Sequence, residues 1–335
     1  MKSFLLTTVV TLSALFSFST AGSAATKSRT FEMTYTAMIK PVPQNAKQVE
    51  IWIPYPTSDE SQQILEMKME SPYPFKVNYD KEFGNAMAYL TPPPGAGAFN
   101  IKMTFKVKRE EIRNKRLDKN PMVADISDAG QFYRYLAPSK YAVINEKVKE
   151  LAGKATAGRK GIAEKAKGGY DFILENMSYN KKIPGWGKGD VNRLCFNLSQ
   201  GEEGTGNCTD FHSLFGSMMR SIGIPVLFEM GFPLSEGKDQ SQARKGGYHC
   251  WAKFYLPGSG WIPVDISEAD KAPKNKDYFF GSICENRVRF SRGRDILLEP
   301  EQRGERLNYF GPDPYIEIDG TSSDLFERTI SYKDL

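Results

Sequence analysis

From Thr30 to about Arg109 the hydrophobic residues of this chain recur at every second position, and beyond that point they do not. In "FEMTYTAMI" one face collects Phe31, Met33, Tyr35, Ala37 and Ile39; in "VEIWI" it collects Val49, Ile51 and Ile53. The run "FNIKMTFKVK" adds Phe99, Ile101, Met103, Phe105 and Val107. Such alternation presents one apolar face to a core and one polar face to water in a strand, a division the same residues would lose if wound as a helix. Proline-rich turns such as "YPTSDE" and "TPPPGAG" separate the runs, so residues 26–118 read as an antiparallel β-sandwich. No cluster of catalytic residue types falls within it, which implies a structural or docking role.

After "REEIRNKRLDKN" the period becomes helical. "GIAEKAKGGYDFILENMSYN" sets Ile162, Ala166, Tyr170, Phe172, Ile173, Leu174 and Met177 mostly along one stripe, and "YAVINEKVKELAGK" reads the same way. Gly168 and Gly169 weaken the first of these helices without erasing its pattern. The fold class expected is α+β, with residues 119–335 forming a second unit that includes the C-terminal strands.

Residues 1–25 carry Lys2, an apolar run from Phe4 to Phe18 and the small residues Ser23-Ala24-Ala25, the pattern of a cleaved secretory signal peptide. That run is too short, and too diluted by Thr and Ser, to anchor the chain, and no later stretch is apolar enough to span a bilayer. Export to a periplasmic or extracellular location, without stable membrane insertion, is the expectation. The net charge of +5 is spread along the chain rather than gathered in a patch, which gives no case for nucleic-acid binding. In an oxidising compartment the four cysteines, Cys195, Cys208, Cys250 and Cys284, suggest two disulfides. A working thiol among them would leave one other unpaired.

Cys208 opens a helix whose Phe211, Leu214, Phe215, Met218, Met219 and Ile222 lie on one stripe, and Gly223 and Pro225 end it. A first-turn thiol feels free backbone N–H groups and the positive end of the helix dipole, both of which favour the thiolate. The same N–H groups can receive an oxyanion. A buried structural cysteine is the competing reading. The segment "GGYHCWAKFYLPGSGWIPVDIS" reads as strand, turn, strand, and supplies the imidazole of His249 and the carboxylate of Asp265 that a thiol nucleophile requires. A two-residue turn would put these on opposite faces; an odd-length connection or a bulge puts them on one. His212, four residues after Cys208, is the rival base. Asp210 is explained by dipole complementation. Shared metal ligation by His249 and Cys250 is disfavoured, because adjacent strand residues point to opposite faces.

A cysteine at a helix start, then His-x-Trp on one strand and "GWIPVD" on the next, resembles the transglutaminase-like superfamily. More narrowly, the chain resembles exported bacterial members with an N-terminal β-sandwich. The stretches that carry the likeness are "GWGKGD", "GNCTDFHSLF", "RSIGIP", "GYHCWAKFYLPGSGWIPVD", "FFGS", "NRVRFSRGRD" and "LNYFGPDPYIEIDG". The resemblance implies a papain-like α+β catalytic domain with Cys208 as nucleophile, His249 as general base and acid, and Asp265 as orienting carboxylate. Trp186, Trp251 and His212 become candidates for oxyanion or substrate contacts. "FNLSQGEEGT" is longer than the connection usual in the family. The implied activity is acyl transfer at peptide or protein amides through a thioester, hydrolysis favoured over amine cross-linking, with no cofactor and no required metal. A non-catalytic binding or scaffolding module on the same fold is the alternative. Oligomeric state is not encoded in any of these features.

Overall fold

The computed structural model describes residues 26–113, 117, 121–126 and 130–335. The signal-like residues 1–25 and the boundary expected at 118/119 lie outside the described residues. In chain order the N-terminal strands are β1 (Ser28–Ile39), β2 (Val49–Tyr55), β3 (Gln62–Glu70), β4 (Lys76–Tyr79), β5 (Ala86–Leu90), β6 (Phe99–Glu110) and β7 (Ile112–Arg113). There follow α1 (Tyr133–Leu136), α2 (Glu146–Thr156), α3 (Ile162–Asn176), β8 (Met177–Tyr179), α4 (Val191–Ser199), β9 (Gly204–Gly206) and α5 (Cys208–Ser221). The next elements are β10 (Val226–Pro233), β11 (Gln240–Lys245), β12 (His249–Leu256), β13 (Gly260–Val264) and α6 (Ile266–Lys271). The last are β14 (Ser282–Ile283), β15 (Arg287–Arg292), β16 (Tyr315–Ile318), β17 (Thr321–Ser322) and β18 (Phe326–Asp334).

Two sheets form the sandwich, in strand orders β11-β18-β1-β6-β3 and β17-β16-β2-β5-β4. The alternating residues predicted to face inward, among them Phe31, Tyr35, Ile51, Ile53, Met103 and Phe105, share one core between them. The C-terminal strands, expected with the second unit, are instead part of this sandwich. β18 pairs along β1 from Asp334 opposite Phe31 to Phe326 opposite Ile39, and β16 pairs with β2. The physical reason is that β1 and β2 would otherwise be exposed edges. Ile330 and Tyr332 also find their apolar surroundings in the sandwich core. β11 then joins β18, so a strand from the middle of the chain sits at the edge of the same sheet.

A third sheet, β13-β12-β10-β15, carries α5 packed on β12 and β10, with Phe211, Leu214, Phe215, Met218, Ala252 and Phe254 in the shared core. Gly168 and Gly169 have a packing reason: a Cβ at the first would stand 2.3 Å from the Ala155 carbonyl, and at the second 2.5 Å from Met219 Cε. The pair that weakens α3 in isolation lets its neighbours close on it. Phe232 of β10 and Phe290 of β15 reach into the sandwich core, so the two units share side chains. All four thiols are free; the two expected disulfides do not form, with three of the cysteines buried and Cys284 partly exposed. Among the described residues no helix is long and apolar enough to cross a membrane.

Candidate active site

The N-terminus of α5 is built as a capping box. The Asn207 side chain accepts the Thr209 N–H at 2.9 Å, and Asp210 Oδ2 accepts the Asn207 N–H at 2.9 Å. The Asp210 carboxylate also accepts N–H groups from Gly187 (2.7 Å) and Gly189 (3.1 Å) and from Arg193 (3.1 Å). It is therefore more than a dipole complement, because it clasps the loop after Trp186 to the helix start. Gly206 is required there, since a Cβ would sit 2.3 Å from Asp210 Oδ2. Cys208, 1% exposed, is held immediately after this clasp.

Across from it, β12 and β13 pair with Leu256 opposite Gly260, so residues 257–259 make a three-residue connection. That odd length brings His249 and Asp265 to the same side, with His249 Nε2 2.7 Å from Asp265 Oδ2. Asp265 also caps α6, its Oδ1 accepting the Glu268 N–H at 3.2 Å. Arg287 Nη1 donates to its Oδ2 at 2.6 Å. With Nε2 committed to Asp265, Nδ1 is the ring nitrogen left to face Cys208, which shares a buried cluster with Cys250.

These contacts set the protonation states. Burial alone would raise the Cys208 thiol, but the hydrogen bonds from Cys250 and His249 and the charge on His249 hold it well below its ordinary value. Burial would depress His249; the charge and hydrogen bond of Asp265, with the Cys208 contact, raise it to about 9. Burial likewise works against the Asp265 carboxylate, and His249 and Arg287 outweigh it to hold the group well below the usual carboxylate range. Cys250 is pushed well up by burial and by the neighbouring Cys208. Both shifts favour the charged forms, the Cys208 thiolate and the His249 imidazolium.

His212 has a different place. Its Nε2 accepts the Ile266 N–H at 3.0 Å, so Nδ1 carries the proton donated to the Cys208 carbonyl at 2.7 Å. Burial keeps this ring neutral. It ties the Cys208 backbone to the residue after Asp265, with both ring nitrogens committed to backbone atoms. Trp251, a candidate for oxyanion or substrate contact, is buried, donates its indole N–H to Glu229 at 2.5 Å and lies under Arg287, 4.9 Å from its centroid. Trp186 is 38% exposed with Lys181 above its ring, and among the described residues its indole N–H makes no hydrogen bond. His249 lies beside Trp251 and bonds Asp265, whereas the Cys250 sulfur meets Thr209 and His212 of α5, 3.7 and 3.8 Å away. Arg287, the second partner of Asp265, was missed; its place in a run of alternating arginines, Arg287 and Arg289, gave no sign of it.

Residues 149–266 match the family model described as Transglutaminase-like superfamily, a span that holds Cys208, His249 and Asp265. They form a transglutaminase-like domain. The chain is 27% identical over 329 residues to an uncharacterized protein of Haemophilus influenzae, covering 89% of this chain and 87% of that one. A crystal structure from Cytophaga hutchinsonii, described as a "putative cysteine protease", superposes with a TM-score of 0.63 at 16% identity, over 92% of this chain and 91% of that one. The likeness to that structure is one of fold. That shared fold spans 92% of this chain, so it takes in the sandwich as well as residues 149–266.

Proposed function

We propose that the protein is an exported cysteine-dependent acyl-transfer enzyme that acts on peptide or protein amides, with water as the favoured acceptor. The observation that supports this reading is the 2.7 Å hydrogen bond between His249 and Asp265 beside a buried Cys208 whose thiol His249 holds below its ordinary value. In the proposed reaction the thiolate attacks the amide carbonyl. The oxyanion is received by the first-turn N–H of Cys208, the one its capping neighbours leave free, with the Trp186 indole as a second candidate donor. The C–N bond breaks as His249 gives its proton to the leaving amine, and a thioester remains. Neutral His249 then takes a proton from water, hydroxide attacks the thioester, and acid and thiolate are released. Hydrolysis is favoured because water needs no dedicated second site, whereas an amine acceptor would.

The burial of Cys208 favours a second reading, a binding or scaffolding module with a silent thiol. A thiol-directed activity probe separates the two. The enzyme reading expects selective labelling of Cys208 near neutral pH, largely lost in His249→Ala. Slow, equal labelling of all four cysteines would favour the module. Cell-envelope extracts treated with the active protein and with Cys208→Ala then distinguish hydrolysis, which leaves new termini, from cross-linking, which leaves isopeptide bonds.

A further inference from the structure

Between Phe83 of the sandwich and the C-terminal end of α5 lies a cavity of about 110 Å³, open to solvent on one side, with four arginines in its wall. Two of them are held only by neutral oxygens. Arg220 donates to the carbonyls of Tyr135 (3.0 Å) and Val226 (2.8 Å). Arg294 donates to the carbonyls of Asn308 (2.8 Å) and Lys188 (3.0 Å), to the Asn308 side chain and to the Ser213 hydroxyl. Among the described residues neither guanidinium has an ion pair. The other two, Arg134 and Arg306, share a single carboxylate, Glu82, with Arg306 bonding it at 2.8 and 3.0 Å. The acid in the wall, Asp295, spends its carboxylate on the Lys140 N–H at 2.6 Å.

Four arginines thus line the cavity with one carboxylate, Asp295, while Glu82 and Asp80 act on Arg134 from outside the lining, so the wall itself is net positive. Withdrawing cations from water without a counter-ion is costly, and the cost shows at Arg220, lowered to about 10 by burial and by the charge on Arg294. Guanidinium groups present planar forks of N–H donors that match tetrahedral oxyanions. We propose that the cavity binds a phosphate-type dianion, either free or as a small phosphate monoester. Its size suits one tetrahedral oxyanion, and several guanidinium groups in one wall match the oxygens of a phosphate better than those of a planar carboxylate. The apolar floor, Phe83 and Phe228, leaves room for the ester group. Arg294 lies 5.1 Å over the Phe228 ring, and Phe228 belongs to the buried cluster that holds Cys208, so a bound anion steadies the surroundings of the proposed nucleophile.

The test titrates inorganic phosphate into the full chain at ionic strength held constant with potassium chloride, following heat of binding and melting temperature. The expected result is saturable binding of one equivalent with a rising melting temperature. Arg134→Gln combined with Arg306→Gln weakens it by about tenfold or more, and Glu82→Gln, which adds a net positive charge, tightens it. Both arginines are at the rim, and circular dichroism confirms that the variants fold. Competition by phenyl phosphate supports an ester-tolerant site; failure to compete, with phosphate still bound, supports a site for the free ion. The proposal is overturned if phosphate does no more than chloride, or if the double variant binds it as the parent does.

Discussion

His249 is raised to about 9 while Cys208 is held well below an ordinary thiol, and that separation makes the pH profile a direct test of the ion pair. On the proposed mechanism kcat/KM rises as pH climbs through the depressed thiol value and falls as the imidazolium is lost near pH 9. Asp265→Asn removes the largest influence raising His249, so the alkaline limb should move down toward the ordinary imidazole range. Arg287→Met should move it up, because the arginine charge lowers His249. Limbs that shift the same way in both variants would sink the assignment. The same shift has a stability counterpart: the raised His249 contributes fully below the unfolded value of about 6.5, and the contribution fades as pH rises through about 9. His212→Ala is a different kind of change. It strands a buried N–H on Ile266, so about 1–3 kcal/mol of stability should be lost, read as a lower urea midpoint. The alkaline limb of the surviving activity should stay in place, since this ring positions and does not titrate.

At the scale of elements, the parity of the connection at residues 257–259 decides whether His249 meets Asp265. Deleting Ser259 makes the loop even and turns the two side chains to opposite faces, so Cys208 should label no faster than the other thiols. Inserting two residues, Gly-Ser, keeps the loop odd and should retain most of the parent rate. Equal loss in both variants, with intact circular dichroism, would show that parity does not matter. This relation was legible in the sequence because a period of two is rigid: one slipped residue reverses every face. The role of His212 was not legible, although its i+4 spacing from Cys208 was plain, because both partners of its ring are backbone atoms. Arg287 was hidden for a related reason, since only the register of β15 against β10 brings it to Asp265. The alternation that made Phe326–Asp334 a strand could not say which sheet it would join, as edge pairing is a long-range choice.

In the whole molecule, that last strand makes the two units one cooperative body. β18 fills the gap between β1 and β11 and places Ile330 and Tyr332 in the sandwich core. Burying each such side chain contributes about 1.5–3 kcal/mol, a large part of a net stability of roughly 5–15 kcal/mol. The sandwich is in turn fastened to the sheet that carries His249. Gln62 exchanges hydrogen bonds with the Arg289 backbone at 2.8 and 3.0 Å, and Asp59 pairs with Arg289 at 2.8 Å and with Arg292 at 3.4 Å. Buried ion pairs add little net stability, but breaking one leaves an uncompensated charge, so neither unit separates from the other cheaply. Loss of the sandwich should therefore release Cys208 at the same denaturant concentration at which the far-UV signal falls, in one transition. Truncation after Leu325 should abolish that transition, leaving a chain in which all four cysteines react alike. Earlier exposure of Cys208 in the intact chain, with the strand signal unchanged, would mean that the catalytic sheet opens on its own and that the sandwich only accompanies it.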